Sequence, residues 1–480
     1  MNNRKLVVSG LFWRFLERFG AQAVSFVVSI VLARLLNPDI YGTVAIVTVI
    51  MTILQVFIDS GLGNALIQKK DADDLDFSTV FVFNVLFSAT LYIIMFFMAP
   101  FIAYFYGINQ LIPVVRVLSL TLIFSGVKNV QQAYISRHMQ FKRFFFATLG
   151  GTIGAAVVGI VMAYCGLGVW ALVGQYLFNG FVDTLILWLT GEWKPRWQFS
   201  YKRFKQLFSY GWKLLGTSLL DTAYMDLTQL AVGKIYAPGE LALYNRGRQY
   251  PGLLVISINS SIESVIFPTL SRVQDDIGRL KEMTRWAIKI GIFVMGPAML
   301  GLACMAEPLV RLMLTDKWIG CVFYLRVYCV IYMFMPVITT NINAIKAIGN
   351  SKLVLQLEVI KKIISISVLF IVVGISVKAL VISMLLIGIL NQVVNSWPNK
   401  KILNYSYLEQ VRDILPSLIL SGIMVCIIYP IQFLHMGDFL TIVVQFGVGV
   451  CIYVVGAKIT KNDCLDYILK ILRNNRKNGN

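Results

Sequence analysis

The chain has 480 residues, of which 58% are apolar and only 14% charged, and its mean hydropathy is +0.73. Soluble domains carry charge on about a quarter of their residues, so the composition excludes a soluble enzyme and describes an integral membrane protein. The net charge of +19 would suit nucleic acid, but its distribution along the chain argues for membrane topology instead.

A helix needs roughly 20 apolar residues to cross the hydrocarbon core. Such runs recur near 10–34, 43–62, 79–104, 112–135, 146–165, 168–190, 212–236, 248–270, 286–306, 320–347, 354–376, 378–398, 415–434 and 439–457, fourteen in all. The predicted fold class is therefore an all-α polytopic membrane protein. The longest polar connection, near 190–211, reads as a loop. The first run is too long for a cleaved signal and holds its charges inside the apolar stretch.

With the N-terminus inside, Lys69, Lys70, Arg137, Lys142, Arg143, Arg203, Arg279, Lys281 and Lys400 fall on the cytoplasmic side, whereas the external side holds few bases. That asymmetry is the positive-inside pattern. It predicts a multi-pass protein of a bacterial inner membrane with both termini cytoplasmic and no nucleic-acid partner. The basic tail 470–480 is expected against anionic lipid headgroups.

Within the first span, Arg14, Arg18, Gln22, Ser25 and Ser29 follow helical steps of three or four and share one face. Glu17 lies at its edge, three residues from Arg14. A charge at mid-bilayer costs at least ~2.5 kcal/mol, so this face is expected to meet a wet cavity, with snorkelling the alternative for both arginines. Other ionisable residues fall inside the runs, among them Asp59, Lys128, Asp183, Asp221, Asp226, Arg326, Glu358 and Lys362. Glu358 and Lys362 are spaced as an i,i+4 pair. Asp221 and Asp226 have no base within one helical turn and are candidates for proton or sodium coupling. The eighth run, 251-PGLLVISINSSIESVIFP-268, has proline at each end and Asn259, Ser260, Ser261, Glu263 and Ser264 between. Such polarity must face protein or water.

Seven cysteines are scattered without a CxxC pair, and the two histidines, His138 and His435, lie far apart. No GxxxxGK[ST] loop is present, and the acidic stretch 71-DADDLD-76 lacks the glycine and distal glutamate of a calcium loop. No metal or other cofactor is implied, and the chain is read as a non-enzyme.

The two halves repeat. The fourth run, 116-RVLSLTLIFSGVKNVQQAYI-135, is matched 210 residues on by 326-RVYCVIYMFMPVITTNINAI-345; 171-ALV-173 is matched by 379-ALV-381, and 37-NPDIYG-42 by 237-APGELALYN-245. Two six-helix halves, 1–200 and 201–405, follow, with two extra helices and the basic tail in 406–480. Six being even, the halves are parallel repeats about an axis along the membrane normal, a transporter plan.

The passages 32-LARLLNPDIYG-42, 59-DSGLGNALIQ-68, 136-SRHMQFKR-143, 237-APGELALYNRG-247 and 267-FPTLSRVQ-274 resemble those of Wzx-like lipopolysaccharide and exopolysaccharide flippases. These polysaccharide transporters belong to the superfamily that includes the MATE drug exporters and the lipid II flippase. The resemblance implies two lobes that open alternately and carry an undecaprenyl-diphosphate-linked oligosaccharide across the inner membrane. It implies a cationic cavity, for which Arg14, Arg18, Lys128 and Arg326 are the bases available, with Gln22 and Asn259 as polar contacts and Glu17, Asp221 or Asp226 for ion coupling. The implied partners are the polyprenyl-diphosphate-linked glycan and membrane lipids, with a polysaccharide polymerase as a further candidate. A MATE-like cation-coupled multidrug exporter is the competing reading. A membrane glycosyltransferase or polymerase would need catalytic acids near a long external loop, and no predicted connection is long enough.

Overall fold

The computed structural model describes residues 3–467 apart from 60, 70 and 139. The side chains of Arg14, Lys213, Asp221, Ser260, Ser261, Glu263 and Ser264, and the whole of the tail beyond 467, lie outside the described residues. Among the described residues every regular element is helical. Eleven helical segments are long and apolar enough to cross a membrane, and in that solvent a helix satisfies its own backbone groups.

The chain divides into two compact units between Ala242 and Leu243. The first contains α1 (Asn3–Leu35), α2 (Pro38–Asp59), α3 (Leu62–Gln68), α4 (Asp74–Tyr106), α5 (Leu111–Leu118), α6 (Leu120–Arg137), α7 (Phe141–Tyr164), α8 (Val169–Thr190) and α9 (Tyr201–Ile235). The division falls inside α10 (Pro238–Arg272). The second unit continues with α11 (Ile277–Cys304), α12 (Ala306–Leu314), α13 (Cys321–Met333), α14 (Met335–Ala347), α15 (Ser351–Val372), α16 (Val377–Ile402), α17 (Tyr407–Ile428) and α18 (Asp438–Ile459).

Three of the expected spans fall on α9, α10 and α15, which have 35, 35 and 22 residues but are not among the eleven apolar segments. The eighth run lies inside the longer α10, which continues through both Pro251 and Pro268. The fourth and tenth runs are each broken in two. At the first break Ser119 turns its hydroxyl back onto the Val115 carbonyl at 2.6 Å; at the second, Pro336 opens α14 where its missing N–H costs nothing.

Polar caps set the helix starts. Asp73 accepts from the Asp76 N–H, while Asp76 accepts from the Asp73 N–H, a reciprocal capping box at the head of α4. Asp276, Ser376 and Ser406 cap α11, α16 and α17 in the same sense.

The core of the first unit is aromatic. Phe77, Phe81, Val130 and Leu207 surround Trp193, whose ring lies 5.6 Å from that of Phe77. Trp193 belongs to the connection expected to be a polar loop. That connection is shorter than expected, since α9 starts at Tyr201, and it is fastened down: Gln131 donates to the Trp193 carbonyl at 2.9 Å, and the Arg196 and Ser200 N–H groups bond the hydroxyls of Ser78 and Thr79. Nearby, the fully buried Asp76 receives Lys69 at 2.6 Å and Arg203 at 3.3 Å. Arg137 closes α3 by donating to the carbonyls of Leu66 and Lys69.

In the second unit α17 packs along α11, and α18 packs on α17 and α12. Arg285 of α11 meets Asp413 of α17 at 2.5 Å, and the Tyr405 hydroxyl donates to the other Asp413 oxygen at 2.8 Å. A buried amide cluster of Asn341, Asn399 and Gln410 ties α14 and α16 to the same helix. Helix α17 is thus bonded into this unit by polar contacts, and the Tyr453 hydroxyl of α18 donates to the Phe293 carbonyl of α11 at 2.8 Å.

Candidate functional site

Helix α6 carries a polar stripe. Thr121, Ser125, Lys128, Gln132 and Ser136 follow steps of four, three, four and four, which places them on one face; at 1.5 Å per residue the stripe is about 22 Å long. Its orientation is set from behind by Gly126, where a Cβ would overlap the Ser88 side chain and the Asn84 carbonyl. Only glycine lets α4 approach so closely.

Helix α2 answers with a stripe of its own, Thr48, Thr52, Gln55 and Asp59, in steps of four, three and four. Two rungs join them: Gln55 Nε2 donates to Ser125 Oγ at 2.9 Å, and Asn129 Nδ2 donates to Asp59 Oδ1 at 2.5 Å. From the third side α8 supplies Tyr176, Asn179 and Asp183, and Lys128 Nζ lies 2.8 Å from Asp183 Oδ2.

Helices α2 and α6 share in bounding two clefts, the first closed by α1, α3 and α7 and the second by α8. One, of about 360 Å³, is lined by Glu17, Asp59, Asn64, Asn129, Gln132 and Ser136 with Ile67 and Phe144 at its apolar edge. The other, of about 230 Å³, is lined by Thr48, Thr52, Gln55, Thr121, Ser125, Lys128, Tyr176, Asn179 and Asp183 with Phe124. Both lie wholly within the first unit.

The structure distributes the sequence-derived candidates unevenly. Glu17 is buried, accepts from the Thr148 hydroxyl at 3.4 Å and lines the larger cleft. Lys128 lines the smaller one with its charge matched by Asp183. Arg18 and Gln22, one turn apart on α1, are exposed and line neither cleft. Asp226 accepts from Gln229 at 2.7 Å. Arg14 and Asp221 lie outside the described side chains. In the second unit Asn259 donates to Thr339 at 2.9 Å. Arg326 donates from Nε to the Ala303 carbonyl at 3.3 Å and lies 3.7 Å from Glu307. Arg116, 210 residues before Arg326 in sequence, donates its own Nε to the Phe96 carbonyl, also at 3.3 Å, and stacks over the Phe96 ring. Glu358 receives Lys361, three residues on, at 2.6 Å, a different partner from the Lys362 that spacing suggested.

Gln55, Asn129 and Asn179 were not among the sequence candidates, and Asp183 stood out only as an ionisable residue inside a run. Their signal is a second-order one: polar residues recurring at helical steps inside three separate apolar runs.

Comparison with known proteins adds a family to this geometry. Residues 31–323 match the family of polysaccharide biosynthesis proteins. The chain belongs to that family. Among curated members of this polysaccharide biosynthesis group, the succinoglycan biosynthesis transport protein ExoT of Rhizobium meliloti (strain 1021) is 22% identical over 66% of this chain and 64% of its own length. The lipopolysaccharide biosynthesis protein WzxC of Escherichia coli (strain K12) is 23% identical over 70% and 69%, and the teichuronic acid biosynthesis protein TuaB of Bacillus subtilis (strain 168) is 23% identical over 62% of each. The chain thus spans about two thirds of the length of the relatives it matches. In fold it is similar to the lipid II flippase MurJ in its inward closed conformation, with a TM-score of 0.72 at 15% identity over 94% of this chain and 99% of that one. It is also similar to an inward-facing MATE family multidrug transporter of the MOP superfamily, with a TM-score of 0.62 at 15% identity over 80% and 94%. The chain therefore shares its fold with MurJ and with the MATE transporter.

Proposed function

We propose that this protein moves an undecaprenyl-diphosphate-linked oligosaccharide across the bacterial inner membrane for surface polysaccharide biosynthesis. The observation that carries the reading is the polar lane on α2, α6 and α8, some 22 Å long, inside helices apolar enough to cross a membrane. Polar side chains at membrane depth are costly unless they face protein or water. A lane of this length, in a member of a polysaccharide biosynthesis family with transport proteins among its relatives, suits the passage of a hydrophilic cargo.

In this reading fourteen helices cross the membrane, α9, α10 and α15 among them, with both termini cytoplasmic. The halves 1–200 and 201–405 are parallel repeats that work by alternating access, and 406–480 adds two helices and the basic tail. The matched Nε contacts of Arg116 and Arg326 support the repeat. Arg14 and Arg18 bind the diphosphate through charge-assisted hydrogen bonds, while the polyprenyl tail stays in lipid. No bond is made or broken. An inside-negative potential favours outward movement of an anion by about 2.3 kcal/mol per charge per 100 mV, and Glu17, Asp221 or Asp226 offers a carboxylate for a coupling ion.

The test is the leaflet distribution of lipid-linked oligosaccharide in cells with and without the protein. Accumulation on the cytoplasmic leaflet in its absence is expected. An unchanged distribution would sink the proposal and favour a cation-coupled drug exporter.

A further inference from the structure

The two clefts of the first unit have a composition that fits one part of such a cargo better than another. Their polar lining is dominated by amides and hydroxyls: Gln55, Asn64, Asn129, Gln132, Asn179 and the α6 hydroxyls. An amide donates and accepts at once, which matches the paired donor and acceptor character of sugar hydroxyls. Phe124 and Tyr176 in one cleft and Phe144 in the other add ring surface of the kind that covers the C–H face of a sugar.

The charges point the same way. Among the described lining residues stand three carboxylates, Glu17, Asp59 and Asp183, and one ammonium, Lys128. That ammonium is bonded to Asp183 at 2.8 Å, and its side chain is only 21% exposed. A diphosphate entering the smaller cleft would meet an ammonium already committed to Asp183, in a medium that screens poorly. Volumes of about 360 and 230 Å³ lie near the lower end of the ~300–1,000 Å³ of small-ligand sites, enough for one or two rings and not for a whole lipid-linked oligosaccharide.

We propose that the α2–α6–α8 lane is a glycan subsite that takes uncharged sugars bearing hydroxyl or acetamido groups, and that it binds neither the diphosphate nor acidic sugars. The inference rests on the flippase reading, and it narrows the cargo to glycans with neutral residues at the position held by this lane. Gln55 and Gln132 are the specificity-determining contacts.

The full chain in lipid nanodiscs is titrated with three synthetic probes: bare polyprenyl diphosphate, the same lipid carrying N-acetylglucosamine, and the same lipid carrying glucuronic acid. The neutral sugar is expected to tighten binding about tenfold over the bare lipid, the worth of one or two net hydrogen bonds, and the acidic sugar to give no gain. In Gln55→Ala and Gln132→Ala the ratio of glycosylated to bare affinity should fall close to one. Retained binding of the bare lipid reports that each variant is folded. Equal affinity for all three probes, or a preference for the glucuronic acid lipid, overturns the subsite while leaving the flippase reading in place. Failure of every probe to bind overturns both.

Discussion

Lys128 and Asp183 stand 55 residues apart in sequence and 2.8 Å apart in space, an ion pair between α6 and α8 with side chains 21% and 12% exposed. Sequence alone presents Lys128 as a cavity cation. Its neighbour makes it half of a neutral unit that fastens one wall of the polar lane to another.

Because the pair is largely desolvated, removing one partner strands the other. Lys128→Ala or Asp183→Ala is expected to cost about 3 kcal/mol, read as a fall in the thermal unfolding midpoint of the detergent-solubilised protein. The double variant Lys128→Met with Asp183→Leu should recover most of that loss. Strictly additive losses would show that the two charges act independently.

Asp76 is fully buried and collects Lys69, Arg203 and the Asp73 N–H. Asp76→Ala leaves two cations facing an empty site and should cost about 3–5 kcal/mol. Limited proteolysis of the connection 191–200, which closes over this end of α4, is the sensitive readout; unchanged cleavage rates would remove Asp76 from its place as the anchor.

The cap beside it adds the share of one carboxylate to the acid sensitivity of this unit. The Asp76 N–H, and after it the Arg203 guanidinium, hold the Asp73 carboxyl below its ordinary value of 3.8. A depressed folded value means that the stabilisation is complete above the unfolded value and is lost as pH falls through the folded one. In Asp73→Asn, which keeps a capping oxygen, the loss of stability below about pH 4 should be shallower than in the parent. Identical acid limbs in both proteins would refute the assignment.

Gly126 controls the approach of α4 to α6. Gly126→Val should force these helices apart and destabilise by about 1–3 kcal/mol, the usual cost of overpacking. It should also turn the polar stripe away from Gln55 and Asp59, so glycan export should fall more than the amount of inserted protein does. Export that tracks protein level alone would leave Gly126 a packing residue only.

Eleven of the fourteen expected spans were legible because a membrane helix announces itself by length and hydropathy, properties of the chain alone. Breaks at Ser119 and Phe334 were not, since a span interrupted by one residue has the hydropathy of an unbroken one. For the site, the helical wheel of α1 correctly grouped Arg18 with Gln22 on one exposed face, yet periodicity says nothing of which face a neighbour will cover. Lys128 was legible as an unusual residue, whereas Asp59 with Asn129 and Gln55 with Ser125 become partners only once α2 lies against α6, 70 residues away. The connection around Trp193 was only partly legible for a related reason: it holds two tryptophans, and nothing in the sequence tells which of them, the buried Trp193 or the exposed Trp197, the aromatic pocket will receive.

The stripe on α6 also has a bearing on how the protein is made. A nascent α6 leaving the ribosome exposes an ammonium, three amides and several hydroxyls before α8 exists, and the counter-ion of Lys128 is synthesised 55 residues later. Such a helix partitions poorly into lipid by itself. Its release from the insertion machinery is therefore tied to the arrival of α8, so α2, α6, α7 and α8 enter the bilayer as a group, and the hydrophilic lane is closed off from lipid from the moment it forms.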